Sequence, residues 1–323
     1  MKFDISVVIP TINRHKVLLN TLNDLNNQKD VCFEVLIIDQ SQDIPLYFID
    51  KLSSYFFNVT LLRQKELSAS KARNVGLVKA NSDIVLFFDD DVIIETNYLL
   101  KHHLMNYADK DISGVFGQIL LKNHYVTNVR SPYSYNERYG WLFFPSNYES
   151  RVIQRGIGMA GNLSVRKKDA ISIGGMDHNF EKGAYREESD FIQRFWNEGY
   201  KIVFDPMASL IHIGHKTGGI RSWGASRGLC APHHLRGEWY FILNHGLKTN
   251  ILMNLYSLIR RQIINKENIR KPLNIPISII YSIIELFNAI RINKEKKTLR
   301  NNMVSSSLFK DVEIVYEKNI NNK

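Results

Sequence analysis

Cysteine is scarce in this 323-residue chain, which contains only Cys32 and Cys230. The two residues lie far apart and lack the short spacing of metal-binding cysteine pairs. Such usage is typical of a protein kept in a reducing cytosol. We therefore expect both thiols to be structural.

Long hydrophobic runs are also lacking. No uncharged stretch reaches the ~18–20 apolar residues that cross a bilayer. The first apolar run is short, follows Asp4 and ends at Pro10, so we expect no secretory signal. The apolar content of 44% and the charged content of 23% are nevertheless globular values, which predict a folded core.

The net charge of +10 is concentrated near the end of the chain. From Gly246 onward there are 14 Lys/Arg and 6 Asp/Glu, so the last 78 residues carry +8 of it. In this region charged residues alternate with aliphatic ones and not with aromatic side chains that could stack on bases. No sequence motif of a nucleic-acid-binding domain is present. The sequence therefore predicts no nucleic-acid partner.

The first part of the chain alternates short apolar strands with helical patterns. Ser68 is the predicted N-cap of a helix over 69–80, and a second helix is predicted over 15–28. The predicted strands cover residues 5–10, 33–39, 58–63 and 83–89. This alternation predicts an α/β fold with a parallel sheet flanked by helices.

Polar residues follow three of these strands. Pro10 and Thr11 end the first, Asp39 ends the second, and Asp89, Asp90 and Asp91 follow the fourth. Ligands bind beyond the carboxyl ends of such strands. Adjacent carboxylates there are the ligands that hard divalent cations prefer, with substrate phosphates completing the coordination. The alternative is a solvated acidic turn, in which Asp91 caps a helix near 96–107.

The middle of the chain has a weaker pattern. The pattern over residues 121–156 indicates a long irregular segment. Residues 156–170 indicate a strand that leads into a short helix, and residues 187–198 indicate a helix. Residues 201–215 predict two short strands broken by Pro206. The segment 213–240 is either a lid, with Arg221 or Arg227 on phosphates, or a plain surface loop.

Two amphipathic helical patterns follow, over 250–265 and 276–290. In the second, Ile279, Ile280, Ile283, Ile284, Phe287 and Ile290 oppose Ser278, Ser282 and Glu285. Basic flanks make these patterns suitable for a membrane interface. They also suit a helical subdomain packed on the rest of the chain, or a homo-oligomer interface.

Several segments together resemble glycosyltransferase family 2. They are "SVVIPTINR", "EVLIIDQSQD", "SASKARNVGLVKANSDIVLFFDDD", "AGNLSVRK", "REESDFIQRFWNEGYKIVFDP" and "LIHIGH", in the family's order and spacing over roughly residues 4–215. The resemblance implies a GT-A fold, a Rossmann-like nucleotide-binding mixed sheet flanked by helices, here with a mostly helical C-terminal extension. It also implies an inverting enzyme that uses a nucleotide-activated sugar.

The same resemblance implies a donor site. Pro10 and Thr11 would begin the nucleotide pocket, Asp39 would bond the base, usually uracil, and Arg73 would lie near the phosphates. Asn74 and Gly76 would shape the turn around Arg73, and Asp90 would belong to the donor site. Gly161, Asn162 and Ser164 would form the floor beneath the sugar, although this segment equally suits a tight strand turn. Gln40-Ser41 departs from the residues that the family usually has after its second strand.

A metal site and a base are implied as well. Asp89 and Asp91 match the outer positions of the DXD motif, and His212 matches a histidine that completes a Mn²⁺ or Mg²⁺ site, with His215 as a competitor. Glu188 takes the place of the base, which is commonly Asp in the family, with Glu187 beside it. The alternative is that Glu187, Glu188 and Asp190 only complement the dipole of their helix.

These expectations define one main hypothesis. Residues 1–245 form the catalytic domain, with a nucleotide-sugar half (1–120) and an acceptor half with a lid (121–245), and 246–323 form a basic helical extension. The expected reaction transfers a sugar, from a UDP-sugar, to a hydroxyl of a glycan or lipid-linked acceptor in surface polysaccharide synthesis. The expected location is cytoplasmic, peripheral on the inner face of the membrane. A nucleotidyltransferase and a non-catalytic sugar-nucleotide-binding module are the alternatives.

Overall fold

The computed structural model describes most of the chain. The described residues are 2–121, 146–154, 159–180, 185–215, 217–219, 232–295 and 305–320. Most of the predicted irregular segment over 121–156 lies outside the described residues. Arg221 and Arg227 lie outside them as well.

One mixed sheet of ten strands organises the described chain. The strands are β1 (Ile5–Thr11), β2 (Phe33–Asp39), β3 (Asn58–Gln64), β4 (Ile84–Phe88), β5 (Val92–Ile93), β6 (Ile112–Leu121), β7 (Val152–Ile153), β8 (Asn162–Arg166), β9 (Lys201–His212) and β10 (Val312–Lys318). The main path runs β10-β3-β2-β1-β4-β8-β6-β9-β5, and β7 pairs with β9.

Helices cover the sheet and then form a separate layer. They are α1 (His15–Leu25), α2 (Leu46–Leu52), α3 (Ala69–Lys79), α4 (Leu99–Met105), α5 (Lys167–Ser172), α6 (Glu187–Asn197), α7 (Pro232–His245), α8 (Ile251–Leu258), α9 (Lys266–Arg270) and α10 (Asn274–Glu295). Two apolar cores fill the space between the sheet and its helices, one on each face. The predicted mixed α/β sheet with flanking helices is confirmed.

The first four strands run parallel, as the sequence predicts. β1, β2 and β4 are mostly apolar and buried, which is typical of strands covered on both faces, whereas β3 also contains the partly exposed Thr60 and Arg63. The helix after β3 begins where it was predicted, because Ser68 accepts a hydrogen bond from the N–H of Lys71 at 3.2 Å. The register sets Thr11 beside Asp39, so these strand ends meet at one rim.

The second half of the sheet corrects one prediction. Pro206 does not divide two strands, because β9 is continuous from Lys201 to His212. Its pairing with β6 shifts after Asp205, and residues 206–208 form a bulge where proline's missing N–H costs no ladder bond. The Asp205 carboxylate accepts from the N–H of Met207, and the Asn162 amide donates to the carbonyl of Ala208.

The segment from α7 onward differs from expectation in two ways. Part of the segment predicted as lid or loop, 213–240, forms the start of α7. The last described strand, β10, returns to the sheet and pairs antiparallel with β3, an element that the sequence patterns did not predict. The division of the chain at residue 245 stays a prediction.

Candidate active site

A cavity of about 450 Å³ opens at the carboxyl ends of β1 and β4. It lies at the edge of the sheet where the sequence analysis expects a ligand. The predicted site residues that line it are Pro10, Thr11, Arg73, Asp89, Asp90, Asp91, Glu187, Glu188 and His212. The cavity therefore brings together residues that lie up to about two hundred positions apart in the sequence.

Asp89, Asp91 and His212 form a cluster that could hold a metal ion. One ligand atom from each side chain lies within 4.8 Å of the other two. The pairing of β5 with β9 produces this approach, because Val92 lies opposite His212. Two carboxylates and an imidazole suit Mn²⁺, and the carboxylates also suit Mg²⁺, so the residues fit the predicted cofactor.

The protonation of His212 depends on its two carboxylate neighbours. Burial by itself lowers the pKa of His212, but the hydrogen bond to Asp91 and the charges of Asp89 and Asp91 raise it to about 9. Its Nε2 lies 3.1 Å from Asp91 and 3.7 Å from Asp89. A metal ion that binds here must displace this proton, because only neutral imidazole is a ligand.

Asp91 does not cap a helix, as one alternative supposed. Tyr98 occupies the N-cap position of α4, and Asp91 accepts a hydrogen bond of 2.7 Å from the backbone N–H of His215. Although burial opposes it, the hydrogen bond with His212 and the one from His215 lower the pKa of Asp91. His215 thus contacts Asp91 through its backbone, whereas His212 does so through its ring.

Asp90 is turned away from this cluster. Its carboxylate accepts from the Thr11 hydroxyl at 2.7 Å and from Arg14 at 2.8 Å. Burial raises the pKa of Asp90 to about 6, and the neighbouring Arg14 charge opposes that rise. Arg14 is a cavity residue that sequence reasoning missed, although the quoted segment "SVVIPTINR" contains it.

Glu187 and Glu188 are neighbours with different surroundings. Glu187 is buried, forms an ion pair with Arg73 and accepts a hydrogen bond from Ser70. Glu188 is only half-buried and accepts a hydrogen bond of 3.0 Å from the backbone N–H of Ala160. Of the two carboxylates, Glu188 is therefore the better placed to meet a ligand in the cavity.

Burial makes both carboxylates better proton acceptors, and it raises the pKa of Glu187 to about 7 although the charge of Arg73 opposes the rise. The pKa of Glu188 shifts in the same direction, and the charge of Arg73 again opposes part of the rise. A carboxylate with a raised pKa holds a transferred proton more firmly. Arg73 lies 3.8 Å from Asp89, so it also connects the acidic cluster to the start of α6.

The helix that contains these glutamates begins with a strained residue. Arg186, directly before Glu187, has a φ of 75°, a left-handed conformation that is uncommon outside glycine. Glu238 holds its guanidinium at 3.0 Å, and the ring of Phe241 lies 4.9 Å below it. Together with Tyr185 and Arg261, Arg186 lines the cavity without having been singled out in the sequence.

Three predicted site residues lie behind the cavity wall. Asp39 is fully buried, 2.6 Å from the His15 ring and bonded to the N–H of Ser41. Asn162 fills the bulge of β9, as described above. Gly161 supports Asp89, because a side chain at this position would overlap the Asp89 carboxylate.

Further predicted residues have structural contacts. Asp190 pairs with Arg194 at 2.8 Å and with His245 at 2.7 Å, which lowers its pKa in spite of burial. Asn74 bonds the backbone of Met176, and Gly76 lets α3 approach Val8 closely.

Comparison with solved structures defines the fold class. A mannosyltransferase from Pyrobaculum calidifontis, PcManGT, solved with GDP-Man and Mn²⁺, aligns with a TM-score of 0.55 and 14% identity, over 95% of this chain and 85% of its own. Residues 1–349 of TarS from S. aureus, solved with UDP-GlcNAc, align with a TM-score of 0.59 and 16% identity, over 91% and 92%. The fold is of the GT-A glycosyltransferase class.

The sequence comparison shows the family. The model of glycosyl transferase family 2 matches residues 6–174, so the chain belongs to this family. The O-antigen chain rhamnosyltransferase WbaN of Salmonella anatum is 24% identical over 66% of this chain and 67% of its own length. A glycosyltransferase of Haemophilus influenzae is 34% identical over 60% and 62%. The alignment with the Staphylococcus aureus enzyme TarS, 35% identical, covers 33% of this chain and 18% of that relative.

Proposed function

We propose that the chain is an inverting glycosyltransferase that moves a sugar from a nucleotide donor, a UDP-sugar, to a hydroxyl of a glycan or glycolipid. One observation carries the proposal. A single cavity contains both the Asp89–Asp91–His212 cluster and the half-buried carboxylate of Glu188. The first suits a metal-bound diphosphate, and the second suits the removal of a proton from an acceptor.

The cluster would hold Mn²⁺ or Mg²⁺ with Asp91 and His212 as ligands and Asp89 as a ligand or sugar contact. A bound ion would supply positive charge to the diphosphate. Arg73 and Arg14 also line this cavity and would add positive charge near the donor phosphates. The complexes of TarS with UDP-GlcNAc and of PcManGT with GDP-Man and Mn²⁺ support a nucleotide-sugar donor.

The transfer itself is a single displacement. The acceptor oxygen forms a bond to the anomeric carbon while the bond from that carbon to the diphosphate breaks, and the nucleoside diphosphate leaves with the electron pair. Glu188 takes the proton of the acceptor hydroxyl. Glu187 positions this base by anchoring the first turn of α6 to Arg73 and Ser70.

Two relatives support a proposal for the cellular setting. WbaN is named for an O-antigen chain and TarS for poly(ribitol-phosphate), both surface polymers. We therefore place the acceptor of this chain in surface-polysaccharide synthesis, at the cytoplasmic face of the membrane.

The test is a turnover assay with the full-length chain. Nucleotide-sugars are screened with Mn²⁺ or Mg²⁺, and release of nucleoside diphosphate is measured. We expect Glu188→Gln to lower kcat by about 10²- to 10⁴-fold while donor affinity is unchanged. Glu198→Gln, an exposed residue just after the same helix, is the control.

Three results would contradict the proposal. Release of pyrophosphate would indicate a nucleotidyltransferase. Metal-dependent nucleotide binding without turnover across a wide acceptor panel would indicate a binding module. Full activity of the Glu188→Gln variant would show that Glu188 is not the base.

A further inference from the structure

Helix α10 turns its apolar side away from the protein. Ile280, Ile283, Ile284 and Phe287 have exposed fractions of 57%, 52%, 49% and 66%. On the opposite side, Ser278, Ser282 and Glu285 are buried. This arrangement is the reverse of an ordinary surface helix, which buries its apolar face.

Helix α8 shows part of the same reversal, although its Leu258 is buried. In α8, Asn254 and Ser257 are buried, while Leu252 and Tyr256 are 74% and 59% exposed. The connections on this layer add Leu247 and Leu273, which are 93% and 81% exposed. Exposed apolar side chains that recur within one layer of helices are typical of an interaction surface.

Specific bonds hold the polar side of α10 against α7 and α9. Glu285 pairs with Arg236 at 2.6 Å, and Ser282 accepts a hydrogen bond of 3.0 Å from the indole N–H of Trp239. Ser278 lies 3.2 Å from the amide of Asn268. Because these buried groups have partners in this orientation, rotating the helix to hide its apolar side would leave them unsatisfied. The outward orientation is therefore built into the packing.

The charge around this surface is positive. Between residues 246 and 295 there are eight Lys/Arg and three Asp/Glu. One of the three acids, Glu285, is buried in its ion pair with Arg236. Arg260, Arg270, Lys271 and Lys294 are exposed beside the apolar faces. Apolar side chains bordered by basic ones match the acyl boundary and anionic headgroups of a bilayer.

The bonds that hold α10 also bear on whether this helix would lie on a bilayer or cross it. Among the described helices, α10 alone is long and apolar enough to cross a membrane by length and composition. However, its polar side is bound to α7 through Ser282 and Glu285 and to α9 through Ser278. A crossing would break these bonds or carry α7 and α9 into the hydrocarbon, whereas an orientation of α10 in the plane of the interface would keep them.

We infer that the outward apolar faces of α8 and α10, bordered by these basic residues, form a docking surface for an anionic lipid bilayer. Arg261, in the helical turn after α8, lines the cavity, so this layer of helices reaches the cavity wall. Docking would thus bring the mouth of the cavity close to the lipid headgroups. The inference concerns lipid binding and does not depend on the transfer reaction.

Vesicle sedimentation tests this surface. The full-length chain is mixed with phosphatidylcholine vesicles or with equimolar phosphatidylcholine and phosphatidylglycerol. We expect it to sediment with the anionic vesicles at least about tenfold more strongly. The double variant Ile280→Asp, Phe287→Asp should bind these vesicles at least about tenfold more weakly, since it loses two apolar contacts. Its thermal unfolding should be unchanged, because both side chains are exposed.

The control variant is Phe56→Asp, which removes an aromatic side chain with 83% exposure from the connection before β3. We expect it to sediment like the unaltered chain. The inference would be overturned if Phe56→Asp weakened vesicle binding as much as the double variant does, or if the double variant bound as strongly as the unaltered chain. Failure of the unaltered chain to sediment with the vesicles would also overturn it. Light scattering without vesicles gives a further check. A dimer that the double variant dissociates, with no vesicle binding, would assign the surface to a second copy of the chain.

Discussion

The guanidinium of Arg14 donates a hydrogen bond of 2.8 Å to Asp90 and lies 3.3 Å from Asp91. The same group donates to the backbone carbonyls of His215 and Thr217. Arg14 therefore joins the acidic segment after β4 to the loop after β9. Repulsion among the three aspartates is offset by this protein cation, in addition to any metal ion at the cluster.

Replacing Arg14 by alanine should destabilise the protein. Asp90 is buried and would lose its cationic partner, which costs about 1–3 kcal/mol. The affinity for a nucleotide-sugar should fall as well, because the cavity loses a cation. Thermal unfolding and donor titration measure these effects. Lys16→Ala, an exposed residue in α1, is the control and should change neither. A stable Arg14→Ala variant with normal donor affinity would contradict this role.

The metal cluster predicts a stabilisation that depends on both metal and nucleotide. UDP with Mn²⁺ at 100 times its Kd should stabilise the chain by about 2.7 kcal/mol. Asp91→Asn should abolish this gain, because the cluster loses a charged ligand. The gain should persist in Asp83→Asn, which changes an exposed aspartate just before β4.

The affinity for Mn²⁺ alone should also depend on pH. His212 binds a proton up to a pKa of about 9. The ion displaces this proton, so Mn²⁺ affinity should rise as the pH approaches 9. Calorimetric titrations at several pH values measure the change. An affinity independent of pH would exclude His212 from the site.

A buried histidine predicts acid destabilisation. Burial lowers the pKa of His103 to about 4 from an ordinary value of 6.5. Its neutral ring lies 2.8 Å from the Asn162 amide oxygen and 2.9 Å from the Ser164 hydroxyl. Below pH 6.5 the unfolded chain binds a proton that the folded chain does not, so stability falls until pH 4, by about 3 kcal/mol.

Denaturant unfolding between pH 7 and pH 4 measures this loss. His103→Gln is expected to be less stable at pH 7 and to show a smaller fall on acidification. The half-buried neighbour His102 supplies the matched control, His102→Gln, which should retain the full fall. If the His103→Gln variant also showed the full loss of stability on acidification, a group other than His103 would be responsible.

The ion pair before β10 predicts a loss of stability far from the cavity. Lys71 in α3 is buried and contacts the carboxylates of Glu66 and Asp311. Asp311→Asn would remove one of two countercharges, so we expect destabilisation by about 1–3 kcal/mol with unchanged donor affinity. Asp311 also accepts from the N–H of Glu66. Glu313→Gln, which changes an exposed residue of β10, is the control and should alter stability little.

The parallel half of the sheet could be predicted from sequence because each strand is a short apolar run ending in polar residues. Asp89 and Asp91 follow a strand, and the resemblance adds His212 and Glu188, so the cavity could be outlined as well. Arg14 could not be found in this way. A single arginine in a loop has no periodicity, and its partners lie about 76 and 200 positions away.

Other features depend on tertiary contacts that no local pattern records. In the sequence, Pro206 predicts the end of a strand, but in the structure a bulge in β9 accommodates it. In α10 the periodicity correctly separates the isoleucines from Ser278, Ser282 and Glu285. It does not say which side meets the protein, because this depends on partners such as Arg236 and Trp239 on α7.

The pairing of β10 with β3 has a consequence for protein synthesis. The edge of β3 is closed by residues 312–318, which leave the ribosome long after residues 58–64. During most of translation the parallel half of the sheet therefore has an open strand edge, which can pair with other chains. A nascent chain stalled before residue 312 should be a preferred client of chaperones.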